Sequence, residues 1–280
     1  MTGLAYPAVT SKIVGNTILA YPESKKEIEK IGIILSKVDE LIQKTEQIIE
    51  QTQRLKKGLM QRLLTKGIGH TEFKKTELGE IPQEWEIVKV TDICQGIVPG
   101  RNKPKQFNGN IPWITIEDID DLYIRNSKRG LNVTKEEVKK CSGKIIPSNS
   151  VIMTCVGELG IVGISLNDVV INQQLHAFIC SNKIISYYLA IFLISQKNYM
   201  YSIATTTTIP YMNKNNCNSI PIILPSISEQ TKITDIFINI DSLHRNQKSK
   251  RNMLLNLKKG LMQQLLTGKI RVKVDYNDNN

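Results

Sequence analysis

Two long stretches of this chain alternate apolar and polar positions with the period of a helix that buries one side. Over residues 23–66, apolar or small side chains recur at heptad positions a and d: Ile31, Ile34, Val38, Leu41, Thr45, Ile48, Thr52, Leu55 and Leu59. A further stripe at e adds Leu35, Ile42, Ile49 and Leu63. Three to four apolar positions per two turns make a face broad enough to need a packing partner. About forty residues at the helical rise would reach roughly 60 Å. Gly67 follows the last turn and suits a C-cap. The second stretch, about 228–267, keeps the pattern at its ends with Ile233, Ile236, Phe237, Ile240 and Leu243, then Leu254, Leu257, Leu261 and Leu265. Its middle places Gln247, Lys250 and Arg251 where the seam should be apolar.

The two stretches are copies of each other. KKGLMQRLLT (56–65) and KKGLMQQLLT (258–267) agree at nine of ten positions, 202 residues apart. Upstream, IILSKVDELI (33–42) lies opposite DIFINIDSLH (235–244), and Pro7 and Pro22 lie opposite Pro210 and Pro225. Long-period self-similarity marks a repeated structural unit. Here two helical copies flank a segment that occurs once. If the ends of that segment lie close together, the second helix returns antiparallel to the first.

The single segment has an α+β texture. EIVKVTDI (86–93), IPWITI (111–116), VIMTCV (151–156), IVGIS (161–165), HAFIC (176–180) and SIPIIL (219–224) predict strands by β-branched content and bounding turn residues. Residues 184–203, IISYYLAIFLISQKNYMYSI, predict a helix. Gly and Pro punctuate a long loop, GIVPGRNKPKQFNGN (96–110).

Charge narrows the function classes. The net charge is +11 and the pI about 9.3, which favours a polyanionic partner, most simply nucleic acid. Counting Lys and Arg against Asp and Glu gives +3 for residues 23–66, +2 for 78–225 and +7 for 226–274. The second helical copy therefore carries most of the excess. Five scattered cysteines form no CxxC pair, and with three scattered His they predict no zinc site and a reducing, cytoplasmic setting. The longest apolar run, 184–195, is too short to span a bilayer, and the start of the chain does not read as a signal peptide.

Catalytic inventories are missing. The chain has no GxxxxGK[ST] and no Gly-rich cofactor loop with an Asn/Asp-Pro-Pro-aromatic site. E-x-K occurs at Glu23–Lys25, Glu72–Lys74 and Glu137–Lys139, but no Pro-Asp precedes any of them. No cofactor is expected.

Several features in order carry a resemblance. LGEIPQEWEIVKV (78–90) opens the single segment; NGNIPWITIEDI (108–119), GELGIVGIS, INQQLHAF (171–178) and TTTTIPYMNKNNCNSIPIILPSISEQ (205–230) follow, and KKGLMQxLLT closes each helix. Together they resemble the specificity subunits of type I restriction–modification systems. The resemblance implies a non-catalytic subunit that recognises double-stranded DNA. It would direct methyltransferase subunits, and through them a restriction subunit, to half of a bipartite target. Family members alternate two target recognition domains with two helices, whereas this chain has two helices and one domain. The expected organisation is therefore a remnant domain tail at 1–22, a first helix at 23–67, a recognition domain at 68–225, a second helix at 226–270 and a disordered tail at 271–280. The fold expected is α+β, one mixed recognition domain on an antiparallel coiled coil, with homodimerisation as a way to restore two domains. A coiled-coil adaptor whose central domain binds protein is the competing reading.

DNA contact needs cations and amides for phosphates and hydrogen-bonding side chains for base edges. Three clusters offer them: Arg101, Lys103, Lys105, Gln106 and Asn108 in the long loop; Arg125, Asn126, Lys128 and Arg129 in a charged turn; and Thr205, Thr206, Thr207, Thr208, Tyr211, Asn213 and Lys214, with Asn215 and Asn216. Against each stands a bland reading, a solvated loop, a hairpin turn or a helix cap. Gln173 and Gln174 read as buried structural amides, and Tyr187, Tyr188 and Phe192 as core.

Overall fold

The computed structural model describes residues 11–18, 21–100, 102–206 and 208–274. Two compact units divide the chain: residues 54–240 form one, and residues 1–53 with 241–280 form the other. Each is considered by itself below.

The elements begin with a short helix α1 (Ser11–Gly15) and the 42-residue helix α2 (Lys25–Lys66). Strands β1 (Phe73–Thr76), β2 (Gly79–Pro82) and β3 (Glu86–Lys89) follow, then helix α3 (Val90–Ile93) and strand β4 (Cys94–Ile97). Next come β5 (Ile111–Ile114), β6 (Tyr123–Ile124), β7 (Asn132–Val133) and helix α4 (Lys135–Lys140). Strands β8 (Val151–Thr154), β9 (Val162–Ser165), β10 (Val170–Ile171) and β11 (Leu175–Cys180) lead to helices α5 (Ser186–Ser195) and α6 (Lys197–Ile203). The chain closes with β12 (Thr205–Thr206), β13 (Pro210–Tyr211), α7 (Lys214–Asn218), β14 (Pro221–Leu224) and the 39-residue helix α8 (Ile227–Leu265).

Within residues 54–240, a mixed five-stranded sheet runs β4-β11-β8-β9-β6, with only the β9–β6 pair parallel. Helix α5 packs on β8 and β9. Eight consecutive α5 residues, Ser186 to Leu193, are buried, because a helix apolar on all sides has no face for water. The core continues into α2 and α8 through Leu63, Leu64, Ile233 and Phe237, packed with Trp85 and Ile81. A fully buried side chain of this size contributes about 1.5–3 kcal/mol relative to exposure. Strand β14 pairs with β3, which joins the two ends of the domain's chain path.

Glu229 fixes the junction where that path meets the helices. Its Oε1 accepts from the Ile68 backbone N–H at 2.9 Å, and its Oε2 accepts from Trp85 Nε1 at 2.9 Å. His70 Nε2 lies 2.9 and 3.0 Å from the two oxygens. Gly67 sits at φ +64°, and a Cβ there would lie 2.5 Å from both the Glu229 carboxylate and the Trp85 ring. Glycine is thus required by conformation and by space.

The two long helices are antiparallel. In the other unit, Lys258 pairs with Asp39 at 2.5 Å, and the Arg271 guanidinium grips Glu27 at 2.7 Å. The Val272 N–H adds a bond to Glu27 at 3.0 Å. In both pairs the residue numbers sum to nearly the same value, as reversed chain directions require. Arg271 holds the Glu27 carboxyl below its ordinary range, followed by the Val272 N–H. Arg271 and Val272, expected within a disordered tail, are therefore tied to α2. Residues 275–280 lie outside the described residues, as do 1–10, 19 and 20 of the expected domain remnant.

The heptad register differs from the expected one. The stripe of buried and half-buried positions that runs the length of α2 passes through 31, 35, 38, 42, 45, 49, 52, 56, 59 and 63. The expected seam residues Leu41, Ile48 and Leu55 are 45%, 38% and 54% exposed. The seam thus combines the expected a positions with the stripe taken as secondary. Both choices have a 3.5-residue mean spacing, so periodicity alone does not separate them. On α8 the half-buried stripe runs through His244, Gln247, Arg251, Leu254, Lys258 and Leu261 to Leu265, while Leu243 and Leu257 are exposed. Every α2 seam position from 31 to 63 maps onto an α8 seam position at the 202-residue offset. Ile31, Val38, Ile233 and Ile240 are buried; Ile34, Leu59, Ile236, Leu254 and Leu261 are half-buried. Thr45 and Thr52 are buried in the seam without an orphaned hydroxyl, since each donates to the carbonyl four residues earlier at 2.7 Å.

Candidate nucleic-acid interface

One end of the five-stranded sheet gathers most of the candidate residues. Strands β4 and β8 end there, and β11 begins there, because Ile97 pairs with Ala177 and Thr154 with Leu175. The loop after β4, the turn before β11 and the hairpin β12–β13 are joined by hydrogen bonds. Gln173 Nε2 donates to the Gly100 carbonyl at 3.2 Å. Val156 bridges Tyr211, and the Gly157 N–H donates to the Pro210 carbonyl at 2.9 Å. The first and third clusters therefore share one edge.

The 98–110 loop is held at three points: on β7, on α4 and just past the end of α4. A Cβ on Gly100 would lie 2.6 Å from the Cys141 carbonyl, and one on Gly109 would lie 2.0 Å from the Val133 backbone. Only glycine admits such backbone approach. Between them the buried Glu137 accepts from the Lys105 N–H at 2.6 Å and the Gln106 N–H at 3.3 Å. These backbone donors, Lys105 first, lower the Glu137 carboxyl's pKa. Thr134 caps α4 by accepting from the Glu137 N–H at 3.1 Å, which fixes where that carboxylate starts.

With its backbone anchored, the loop turns its side chains outward. Lys103, Lys105, Gln106 and Asn108 are exposed. Lys103 Nζ stands 5.4 Å from the Trp113 ring centre, and Trp113 packs on Phe107. An open depression of about 620 Å³ is lined by Lys103, Lys105, Gln106, Glu137 and Lys140, with Asn102 and Cys141. Arg101 lies outside the described residues.

The charged turn is placed elsewhere. Strand β6 runs parallel to β9 and so leaves the sheet at the opposite end from the other clusters. Its cations are also engaged: Lys128 pairs with Asp120 at 2.7 Å and Arg129 with Glu117 at 2.6 Å. Lys128 correspondingly lowers the pKa of Asp120. Arg125 and Asn126 are exposed.

The third cluster divides. Asn213 caps α7 by accepting from the Asn216 N–H at 2.9 Å, and Asn216 donates to the Ile203 carbonyl at 2.6 Å. Thr205, Thr208, Tyr211 and Lys214 are exposed, with Ile209 56% exposed between them. Thr207 and the Thr206 side chain lie outside what is described. Below this cluster His176 is 1% exposed, and burial pushes its pKa down to about 4, so the ring is neutral.

Sequence reasoning missed four contributors. Lys140 drew no reading, and Glu137 stood only in an E-x-K triplet without a preceding Pro-Asp. Gln173 and Gln174, read as buried amides, are exposed on the shared edge; Gln173 bonds the loop, and Gln174 Oε1 accepts from Asn172 Nδ2 at 3.2 Å. A turn preceding a strand whose partner leads into the long loop was the available signal. Among the described residues, no three His, Cys, Asp or Glu side chains converge on a metal site, and no helix is long and apolar enough to cross a membrane.

Comparison with known proteins places this arrangement. The chain is 32% identical over 191 residues to the type I restriction enzyme MjaIX specificity subunit of Methanocaldococcus jannaschii, covering 66% of this chain and 44% of that protein. It is 31% identical over 291 residues to the MjaVIII specificity subunit of the same organism, covering 97% of this chain and 66% of that protein. The chain thus spans less than two thirds of either relative. The fold matches the HsdS subunit of Thermoanaerobacter tengcongensis with a TM-score of 0.61 at 18% identity, over 96% of this chain and 65% of that one. A chain from a type I R-M system complex matches with a TM-score of 0.65 at 20% identity, over 96% and 66%. Residues 82–256, more than half of the chain, match the family described as type I restriction modification DNA specificity domain, and the chain belongs to that family.

Proposed function

We propose that this chain is a non-catalytic reader of double-stranded DNA. It directs methyltransferase subunits, and through them a restriction subunit, to one half of a bipartite target in the cytoplasm. Residues 68–225 act as the target recognition domain. Residues 23–67 and 226–270 act as the helices that carry it, and residues 1–22 as the tail of a preceding domain. The observation that carries the reading is the shared edge, where Lys103, Lys105, Gln106, Asn108, Gln173, Gln174, Thr205, Thr208, Tyr211 and Lys214 are exposed around an anchored loop. Cations and amides on rigid supports suit phosphates and base edges together. Lys128 and Arg129 are set aside, because their ion pairs already occupy them.

A second recognition domain, supplied by a second copy, would complete the target. The support is internal. At the 202-residue offset, Leu64 corresponds to Leu266, which are 1% and 49% exposed, and Met262 is 40% exposed opposite half-buried Met60.

The test is binding of the whole chain to duplex fragments over a range of salt. Replacing Lys103 and Lys105 by Ala should flatten the plot of log K against log[salt] by up to about two units, at roughly 0.9 per phosphate contact on B-DNA. An unaltered slope and affinity removes the loop from the interface. Incubation with S-adenosylmethionine, ATP and Mg²⁺ should give neither methylation nor cleavage without partner subunits. Binding to the methyltransferase but to no duplex would favour the protein-adaptor reading.

A further inference from the structure

The second long helix carries a charge pattern that its packing does not require. Between Asp241 and Asp275 the sequence has nine Lys or Arg residues and no Asp or Glu. The first copy is different: the corresponding residues 40–72 hold six Lys or Arg and four acids. The two copies keep the same seam register and near-identical ends, so the helix as a packing unit tolerates either composition. Part of the change falls in the seam, where Arg251 takes the position of Ile49, and part on the outward face. At the 202-residue offset, Gln43, Glu46 and Glu50 stand where Arg245, Lys248 and Asn252 stand.

At about 100° per residue, Lys248, Ser249, Asn252, Asn256, Lys259 and Gln263 all lie within about 60° of Arg245. All seven are exposed, and the half-buried stripe through His244, Gln247, Arg251, Leu254 and Lys258 lies on the opposite side. The cations that pair with α2 are others: Lys258 with Asp39, and Arg271 with Glu27. Arg245, Lys248 and Lys259 form no ion pair with any described residue. A strip of cations, amides and one hydroxyl, with no acid among them, is complementary to a row of phosphates. From Arg245 to Gln263 it runs about 27 Å, the rise of about eight base pairs.

We infer that this face of α8 is a second, sequence-independent DNA surface, which holds the phosphate backbone of duplex lying outside the bases read by the recognition domain. The inference rests on the reading that the chain binds duplex DNA. An acidic protein surface is the competing occupant.

The test transplants the first copy's face onto the second. The variant Arg245→Gln, Lys248→Glu, Asn252→Glu introduces residues that α2 already carries at the same helical positions, so circular dichroism and melting should match the wild type. With the full chain and random-sequence duplexes of about 30 base pairs, the salt slope should fall by about two units and affinity at low salt by tenfold or more. Arg245→Lys, which keeps the charge, should bind like the wild type. A wild-type slope in the triple variant overturns the inference; if Lys103→Ala with Lys105→Ala still lowers the slope, the proposed function stands without it. Should the triple variant lose a methyltransferase subunit while its DNA slope holds, the face belongs to protein and the inference is wrong. No binding of the wild-type chain to any duplex removes the proposed function, and this inference with it.

Discussion

Glu229 collects donors from three separate places in the sequence: the Ile68 N–H, the Trp85 indole and the His70 ring. The acidic first turn of the second helix is visible in the sequence and reads as a favourable charge near a helix N-terminus. That it closes a domain junction is not, because its partners lie 144 to 161 residues away. Glu229→Gln exchanges one acceptor oxygen for a donor, leaving Trp85 Nε1 or the Ile68 N–H without a partner. A loss of about 1–3 kcal/mol is expected by urea unfolding, and a change below a few tenths would show the junction to be held by packing alone. His176 makes a second case. Its ring is buried and neutral with its pKa down at about 4, against 6.5 in an unfolded chain. The unfolded state therefore takes up a proton as pH falls below about 6.5 while the folded state does not. Stability is full above that pH and declines as pH drops towards 4. At about 1.4 kcal/mol per unit, the decline between pH 6.5 and pH 5 is on the order of 2 kcal/mol. His176→Phe should flatten the pH dependence in this window; an identical decline in the variant would assign it to other groups. Neither the burial nor the neutrality of His176 is marked in a sequence where three histidines are scattered.

The heptad pattern predicted both long helices, the single segment between them their antiparallel return, and β-branched content that segment's α+β texture, but the heptad reading mis-assigned one of the two seam stripes. Ile34, Leu41, Ile48 and Leu55 compete with Leu35, Ile42, Ile49 and Lys56 for the position beside Ile31, Val38, Thr45 and Thr52. Hydrophobicity favours the first set, since it contains no Lys. The structure uses the second, where Lys56 is half-buried, as its long aliphatic stem permits. The two registers make opposite predictions for one pair of variants. Val38→Asp places an unpaired carboxylate in the seam and should cost several kcal/mol of thermal stability. Leu41→Asp, on an exposed position, should stay within about 0.5 kcal/mol. Equal losses from both would show that the wider face is buried in solution. The long loop presents a parallel case. Its Gly, Pro and Lys content marked it as a candidate interface, yet what shapes it is Glu137 on a short helix some thirty residues later. Glu137→Ala removes the acceptor for the Lys105 and Gln106 N–H groups. Faster hydrogen exchange at those two amides is expected, together with weaker duplex binding. Exchange that stays protected would show the two glycine contacts to be sufficient.

The 202-residue repeat bears on the assembly as well as on the fold. It was read from ten near-identical residues and a weaker upstream match, and the structure adds a shared seam register and matched carboxylates near the helix starts. Glu229 accepts from the Ile68 N–H, and its counterpart Glu27 accepts from the Val272 N–H and Arg271. Similar hardware thus stands at two places, but the burial around it differs. Gln230 and Leu64 are 0% and 1% exposed within the unit of residues 54–240, whereas their counterparts Ile28 and Leu266 are 42% and 49% exposed. Ile270 and Met262 add 54% and 40% exposure nearby. An apolar group of this kind, matched by a covered copy of itself, fits the proposed seat for a second chain. A two-fold dimer that buries it would present two identical readers and select a palindromic target. Mass in solution decides the point. The wild-type chain should show a concentration-dependent dimer by sedimentation or light scattering. Leu266→Asp should shift it to monomer, because an unpaired carboxylate in an apolar interface costs several kcal/mol and each 1.4 kcal/mol is tenfold in the association constant. Leu64→Asp is the contrasting change: it strikes the same repeat position inside the recognition core and should unfold the domain without addressing association. A wild-type chain that remains monomeric at all concentrations, with or without methyltransferase subunits, would mean that this end is not a seat for a second copy.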